Sequence, residues 1–352
     1  MEFILPRSAL PDNKAQRRML LDEYFPQGII PFELLVGQEW KLTSFVPDDP
    51  DYYVDPLIAK TLENWNEPIT LETMGSYRRI YKNAMISFID SWSLYYWSLF
   101  VKWLSTKGEV PKQLNILHVD DHLDLDTPLI ITDAENFECL FSGEKVSLED
   151  PASIEKSIIQ KSIGIGSFFA PLLHGIEKVN ILHLRYAHQG KPHENGLECT
   201  FKEDTLLAKR KQRPSLTKTK SDSRHRYIVA STPAYLLDKL ENPTHLLLHL
   251  DCDALNNRYN GNSLWHTHSP SIDLNLRQIK DKIDELFYQV SLLSAKVYIN
   301  VALSPGFFPS DLWKPISDYI FEKAEKHGVI RDDHFSEYLN DHHPKEVRNG
   351  SN

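Results

Sequence analysis

Two apolar runs that each end in a cluster of carboxylates constrain this chain more than any other feature. Residues 114–117 lead into the segment 118–124, which reads His-Val-Asp-Asp-His-Leu-Asp, and residues 245–250 lead into Asp251, Cys252 and Asp253. A carboxylate at the end of a buried strand costs roughly several kcal/mol unless a cation or hydrogen-bond donors meet it. We therefore expect both clusters to lie at one edge of a sheet and to share a positive partner.

The segments around these runs alternate between strand and helix patterns. Short continuous apolar runs are typical of strands covered on both faces. Six such runs occur, at residues 84–88, 114–119, 179–184, 227–230, 246–250 and 297–303. Residues 274–293 and 310–326 place apolar side chains at spacings of three and four, which predicts amphipathic helices. The alternation predicts an α/β fold with three layers, in which a central, mainly parallel sheet carries helices on both faces. In such sheets the ligand site lies beyond the carboxyl ends of the strands, where both clusters fall.

The 352 residues are interpreted as a single domain with three less regular parts. Residues 1–75 carry many prolines and aromatic residues, and we expect them to form an N-terminal extension packed on the sheet. Residues 204–226 are basic and interrupt the alternation, which predicts a mobile surface loop or, alternatively, an arm that touches an acidic partner. The polar C-terminal tail, residues 328–352, is expected to be partly frayed.

Charge and cysteine content narrow the class of partner. The net charge of −10 argues against nucleic acid or an anionic membrane as a general partner and suits a cationic substrate. The three cysteines are far apart, so they form no disulfide framework and predict a reducing, cytoplasmic location. No signal peptide is visible, and no apolar run approaches the roughly 20 residues of a membrane span. Assembly into a homo-oligomer stays open.

The two clusters contain the ligands of a metal site. In extended backbone alternate side chains point the same way, so Asp120, His122 and Asp124 can reach one place, as can Asp251 and Asp253. Carboxylates with one imidazole suit Mn²⁺ best, with Fe²⁺, Co²⁺ or Zn²⁺ as weaker alternatives. Four carboxylates are too many for one divalent ion. The pattern therefore predicts two metal ions, an arrangement that activates water for hydrolysis.

These motifs resemble those of a known enzyme family. The segment 120–128 resembles the Asp-Ala-His-x-Asp-x-Asn-Thr-Pro loop of arginases, in the ureohydrolase branch of the arginase/deacetylase fold, and Asp251-Cys252-Asp253 resembles their second Asp-x-Asp. Together with segments 251–261 and 303–307, the motifs are most similar to those of peptide arginases. Those enzymes convert arginine side chains to ornithine within ribosomally made precursor peptides and release urea.

The resemblance implies an arginase/deacetylase-like fold, a hydrolase acting on the C–N bonds of linear amidines, and two Mn²⁺ ions. By this resemblance Asp120 and Asp251 would bridge the ions, His122 and Asp253 would complete one of them, and Asp124 would bind the other. An arginine-containing precursor peptide would be the partner. Asp124 would also orient the attacking hydroxide.

Departures from the arginase pattern affect one metal ligand and the substrate anchors. The Gly-Asp-His-Ser segment of arginases corresponds to residues 89–93, which contain no histidine, so either Asp90 or His118 takes its place. Asp126 stands where arginases carry the Asn that anchors a free α-carboxylate, and the segment that would hold the α-amino group reads Leu-Arg-Tyr-Ala-His over residues 184–188. Both changes favour a substrate embedded in peptide bonds. Asp126, His188 and Asn256 are the predicted substrate contacts, although Asn256 alternatively caps its own loop.

A histidine is the natural proton shuttle to the leaving amine. His188, His266 and His268 follow predicted strand ends, and we favour His268; His174, at a predicted helix end, ranks lower. Two other functions remain open. One is a mononuclear zinc amidohydrolase of the deacetylase type, which would use Asp120, His122 and Asp251, and the other is a non-catalytic peptide-binding scaffold with a degenerate metal site.

Overall fold

The computed structural model describes residues 2–25, 32–43, 54–109, 111–132, 136–208, 211–220, 223–240 and 243–342. Within these ranges the fold is a mixed α/β arrangement with one twelve-stranded mixed sheet, a separate three-stranded sheet and ten α-helices. The strands are β1 (Glu2–Pro6), β2 (Phe32–Val36), β3 (Glu39–Thr43), β4 (Arg78–Tyr81), β5 (Ala84–Ser87), β6 (Gln113–Val119), β7 (Ile130–Thr132), β8 (Phe137–Cys139), β9 (Lys145–Val146), β10 (Lys178–Leu184), β11 (His193–Glu203), β12 (Gln212–Thr219), β13 (His225–Ala230), β14 (His245–Asp251) and β15 (Lys296–Ala302). The helices are α1 (Lys14–Tyr24), α2 (Ile58–Glu63), α3 (Leu71–Met74), α4 (Trp92–Thr106), α5 (Pro151–Ile159), α6 (Phe169–Gly175), α7 (Pro233–Leu237), α8 (Leu276–Ser291), α9 (Trp313–Lys326) and α10 (His334–His342).

The centre of the large sheet is parallel and its flanks are antiparallel. The strand order is β4-β5-β15-β14-β6-β10-β13-β11-β12-β7-β8-β9, and parallel pairing extends from β5 to β13. The six parallel strands are the six that the apolar runs predict, so those predictions are confirmed. Every other pairing in this sheet is antiparallel, and the prediction of a mainly parallel sheet is therefore wrong for the flanks. The flanking strands β11 and β12 are partly exposed and lack continuous apolar runs.

Alternate residues of the parallel strands pack against two different helix layers, as the pleat of a strand requires. In β14, Leu246 and Leu248 pack in one apolar cluster with residues of α8 and α9, whereas Leu247 packs in a second cluster with residues of α4 and α6. Helices therefore cover both faces of the sheet. The two helices predicted at 274–293 and 310–326 are α8 and α9. None of the helices in the described ranges is both long and apolar enough to span a bilayer.

The basic segment 204–226 is not simply a mobile loop. Gln212–Thr219 forms β12, which pairs with β11 from Gly196↔Thr219 to Glu203↔Gln212. Its Arg213 is buried and donates hydrogen bonds to the carbonyl oxygens of Tyr24 and Pro128. The strand forms because its backbone pairs with β11 and the buried terminal N–H groups of Arg213 find acceptors. The basic composition of the segment gives no indication of these partners. Residues 209, 210, 221 and 222 lie outside the described residues.

The described parts of the N-terminal extension and of the C-terminal tail pack on the body of the protein. In the predicted C-terminal tail, α10 buries Phe335 and Leu339 in the same apolar cluster as α4. Partial fraying of the tail stays a prediction, because residues 343–352 lie outside the described residues. In the predicted N-terminal extension, β1, β3 and β2 form the three-stranded sheet beside α1. Their apolar cluster includes Leu129 and Leu206 from the body of the chain. Residues 1, 26–31 and 44–53 of that extension lie outside the described residues.

Candidate metal centre

The sheet brings the two acidic clusters together. β6 and β14 are neighbouring parallel strands, with His118 opposite His249 and Val119 opposite Leu250. Asp120 therefore follows β6 at the level of Asp251, the last residue of β14. The Nδ1 atom of His122 lies 2.7 Å from Oδ2 of Asp253. The prediction that the clusters converge at the carboxyl edge is confirmed.

Two groups of ligand-type side chains form there, and Asp120 belongs to both. We call His118, Asp120, Asp124 and His249 the inner group, and Asp120, His122 and Asp253 the outer group; within each, one ligand atom per residue lies within 4.8 Å of all the others. All four residues of the inner group are buried. The shared carboxylate is the feature expected of a bridge between two ions.

The inner group contains buried polar atoms that no donor or acceptor satisfies. Among the described residues, Nε2 of His118, Oδ2 of Asp120 and Oδ2 of Asp124 have no hydrogen-bond partner. Nε2 of His118 lies 3.6 Å from Oδ2 of Asp124 and 3.9 Å from Oδ2 of Asp120, which is too far for a hydrogen bond. Two ligands of one ion, with bonds of about 2.1 Å, are separated by slightly more than 3 Å. These residues therefore fit a divalent cation.

Both candidates for the missing imidazole lie at this site. His118 belongs to the inner group, whereas Asp90 precedes α4 and accepts the N–H of Gly166 at its Oδ2, 3.3 Å away. Oδ1 of Asp90 is buried and has no hydrogen-bond donor among the described residues. Asp251 belongs to neither group. Its Oδ1 accepts the N–H of Asp253 at 2.9 Å and its Oδ2 accepts the hydroxyl of Ser304 at 2.5 Å, so its role as a bridging ligand stays a prediction.

The electrostatics of the cluster favour a bound cation. Burial, together with repulsion between neighbouring carboxylates, raises the pKa of Asp120, Asp124 and Asp251 well above the usual range. Burial also raises the pKa of Asp90 to about 7. Burial alone would lower the pKa of His122, but the adjacent carboxylates raise it to about 10. A dication would replace the protons that these shifts imply, because nearby positive charge favours the ionised carboxylate.

Several residues at the site adopt the left-handed backbone region, among them Asp124 and Gly166. Asp124 has a φ of 53° and Gly166 a φ of 72°. Such a conformation costs roughly 1–2 kcal/mol at a residue with a side chain, and persists where surrounding structure holds it. A Cβ atom on Gly166 would lie 3.4 Å from Oδ2 of Asp126 and 3.7 Å from Oδ1 of Asp124. Sequence reasoning missed Gly166, although two glycines within residues 163–166 signal unusual backbone.

Asp121 connects three loops behind the outer group. Its backbone N–H donates to Oδ1 of Asp253 at 3.1 Å. Its carboxylate accepts Nε–H of Arg185 and Nδ2–H of Asn257, each at 3.0 Å, and the hydroxyl of Ser271. Burial alone would raise the pKa of Asp121, but these donors lower it below its usual range. The loops that follow β6, β10 and β14 are thereby joined by one carboxylate.

A cavity of about 690 Å³ opens onto both groups. Its acidic part is formed by Asp90, Asp120, Asp124, Asp126, Asp251 and Asp253. Apolar side chains form much of the remainder, among them Ile89, Leu123, Leu125, Ile163, Leu216 and Phe307. Lys161 and Lys218 also line it. The volume lies within the range of about 300–1,000 Å³ that encloses drug-sized ligands.

The cavity contains only some of the predicted substrate and shuttle residues. Asp126 lines it, as does Ser304 from the segment 303–307. Asn256 instead caps its loop, because its Nδ2 donates to Oδ1 of Asp273 at 2.6 Å and to a backbone carbonyl. The alternative prediction, in which Asn256 caps its own loop, therefore agrees with the structure.

None of the predicted shuttle histidines lines the cavity. His266 and His268 are exposed beside a short 3-10 turn, and Nε2 of His188 lies 3.2 Å from the carbonyl oxygen of Lys191. His174 packs against Phe137 and Phe201. His268 is predicted at the site because it follows the second motif in sequence. The prediction is wrong, because the turn directs His268 to solvent. Among the described histidines, His122 is the one that lines the cavity.

Comparisons with protein families and with curated proteins identify no relative of this chain. No protein-family model matches the chain, and no curated protein is detectably similar to it in sequence. The function is therefore argued from the geometry and chemistry of the cavity and its buried His/Asp cluster.

Proposed function

We propose that this protein is a metal-dependent hydrolase that converts arginine side chains within a ribosomally made precursor peptide to ornithine and releases urea. The observation that carries the proposal is the position of Asp120, which is shared by the inner and outer groups at a cavity with an acidic part and apolar walls. The resemblance of the two acidic motifs to those of peptide arginases supports the choice of reaction, as does the parallel centre of the sheet, in which both motifs follow neighbouring strands.

Two divalent ions, Mn²⁺ in the first instance, would be held by the inner and outer groups together with Asp251. When bound, they would supply a hydroxide nucleophile at neutral pH. The unsatisfied nitrogen and oxygen atoms of the inner group are the structural reason to expect an ion there. Asp124 would accept the proton of the attacking water and return it to the leaving amine, since the favoured shuttle His268 is exposed and lies outside the cavity.

The cavity suits an arginine side chain. A guanidinium is always protonated, so it can enter an acidic cavity as a cation, while the apolar walls can cover its methylene groups. Asp126 would repel a free α-carboxylate, at a cost of about 1–4 kcal/mol for a separation of about 4 Å. Lys161 and Lys218 also line the cavity, so its lining is not uniformly acidic. Free arginine and an arginine within a peptide must therefore be compared directly.

The mononuclear zinc amidohydrolase remains a second candidate, because two imidazoles and two carboxylates in the inner group match the ligand types of a single zinc ion. Metal analysis separates the two. About two Mn²⁺ per chain with loss of both in Asp120→Asn supports the dinuclear centre, whereas one zinc ion supports the deacetylase type.

The test of the proposed function uses the full-length chain loaded with Mn²⁺. Peptides with one internal arginine, the same peptides with lysine in its place, and free arginine are incubated with it, and urea and peptide mass are measured. We expect urea and the loss of CH₂N₂ from the arginine peptide alone. Asp284→Asn, which changes an exposed carboxylate on α8, is the control that keeps this activity. Equal kcat/KM for free arginine and the peptide would contradict the peptide substrate, and metal binding without any urea would leave only a scaffold.

A further inference from the structure

Three histidines lie side by side in the interior of the sheet. His249 of β14, His118 of β6 and His183 of β10 occupy the same register on three neighbouring strands, and each is 0% exposed. A charged ring is disfavoured at this depth, and a neutral imidazole has one N–H and one lone pair that each need a partner.

His183 has both partners. Its Nε2 lies 3.0 Å from the carbonyl oxygen of Asp120, and its Nδ1 lies 2.6 Å from the hydroxyl of Tyr227. Since a carbonyl only accepts, Nε2 carries the proton and Nδ1 accepts from the tyrosine. His183 thus supports the backbone of Asp120 and has no free atom for an ion.

His118 and His249 satisfy each other on one side only. Their Nδ1 atoms are 2.7 Å apart, so one donates and the other accepts. Neither Nε2 has a hydrogen-bond partner among the described residues. The His249 ring makes T-shaped contacts with Trp97 and Phe168, with centroids 6.2 Å and 5.5 Å away.

With a cation bound in the inner group, one arrangement of the two protons gives each Nε2 suitable surroundings. If His118 donates, its Nε2 lone pair faces the cation held between it and the carboxylates of Asp120 and Asp124, and His249 carries its proton on Nε2 among aromatic rings, where an N–H is favourable. If His249 donates, its Nε2 lone pair is buried among those rings, and the Nε2–H of His118 reaches no acceptor within hydrogen-bond distance.

We propose that the inner group binds its ion through a buried imidazole pair, with Nε2 of His118 as the nitrogen ligand and His249 as the positioning residue that fixes its tautomer. This inference depends on the metal centre of the proposed function, but not on its substrate. It also makes the two ions unequal, since the inner one has an imidazole held by a second imidazole, whereas the outer one has an imidazole that is 37% exposed.

Metal affinity is the first readout. Partners that orient a ligand histidine typically contribute 10–100-fold in metal affinity, so we expect His249→Phe to weaken one of two bound ions by about that factor and leave the other unchanged. His249→Gln, whose side-chain oxygen can accept the His118 proton, should recover most of the affinity. His245→Phe, on the same strand but away from the cluster, is the matched control. Calorimetric titration of the metal-free full-length chain with Mn²⁺ measures these changes.

The second readout needs no variant that disturbs the interior. In the wild-type chain loaded with Zn²⁺, ¹⁵N NMR of labelled histidines should show a proton on Nδ1 of His118 and on Nε2 of His249. A proton on Nε2 of His118, or His249→Phe binding both ions as tightly as wild type, would overturn the inference. If the affinities change as expected but no arginine substrate is hydrolysed, the proposed function fails and the imidazole pair stands. If urea is released and the affinities do not change, the imidazole pair fails and the proposed function stands.

Discussion

Replacing Asp121 with alanine should destabilise the protein without removing a proposed metal ligand. The carboxylate is 3% exposed and accepts hydrogen bonds from Arg185, Asn257 and Ser271. A hydrogen bond to a charged group contributes about 1.5–3 kcal/mol when buried, and a solvent-exposed ion pair contributes about 0–1 kcal/mol. Asn257 is fully buried, whereas the side chain of Arg185 is 36% exposed. We assign about 2 kcal/mol to the Asn257 contact and about 1 kcal/mol to the other two together, so the free energy of unfolding should fall by about 3 kcal/mol.

Urea denaturation of the metal-free chain near neutral pH measures this loss. Asp284→Ala is the control, because that carboxylate is exposed and pairs with Lys323 and Tyr319 on the surface; it should cost less than about 1 kcal/mol. The pKa of Asp121 is lower in the folded state than its unfolded value of about 3.9. Its contribution is therefore complete above that pH and is lost as the pH falls through the folded pKa, so the wild type and Asp121→Ala should converge in acid. A difference below about 1 kcal/mol near neutral pH would refute the reasoning.

Three further predictions follow from the site. Asp120→Asn should lose both metal ions, since that carboxylate is shared, and elemental analysis checks this against His174→Gln, which should retain both. Gly166→Ala should cost about 1–2 kcal/mol in urea denaturation because of its positive φ. It should also raise the KM for the peptide, because the new Cβ approaches Asp126. Without metal, the pKa of Asp120 and of Asp251 is raised in the folded state, so protonation of these carboxylates stabilises the fold. This contribution is complete below about pH 4 and is lost as the pH rises through the folded pKa. Thermal unfolding of the metal-free chain should therefore occur at lower temperature as the pH rises towards neutrality, and added Mn²⁺ should reverse the loss.

The sequence predicts the parallel centre of the sheet because those strands are covered on both faces and read as continuous apolar runs. It does not predict β12, whose residues show no alternation between buried and exposed and include Arg213, Lys218 and a proline. A basic segment of this kind looks like a solvated loop until its partner strand is known. Long-range pairing, here between β11 and β12, is the information that a local pattern lacks.

The same limit applies to the site. Asp120 and Asp251 are recognisable because a carboxylate at the end of an apolar run needs a partner wherever the strands lie. His249 is not, since a histidine within an apolar strand usually reads as part of the core. Its relation to His118 exists only through the register of β6 and β14, which no spacing within either segment specifies.

Two carboxylates of the cluster are held by the backbone in a way that would suit the proposed ions. Asp120 uses Oδ1 to accept the N–H of His122 at 2.6 Å, and Asp90 uses Oδ2 to accept the N–H of Gly166, while the other oxygen of each has no donor. One oxygen of each carboxylate is thus held by a backbone N–H, and the other oxygen has no donor and remains available to a cation. Since the first hydrogen bond already holds each side chain, binding a cation requires little rearrangement. The backbone therefore sets the direction of each carboxylate, and a bound ion would need only to compensate its charge.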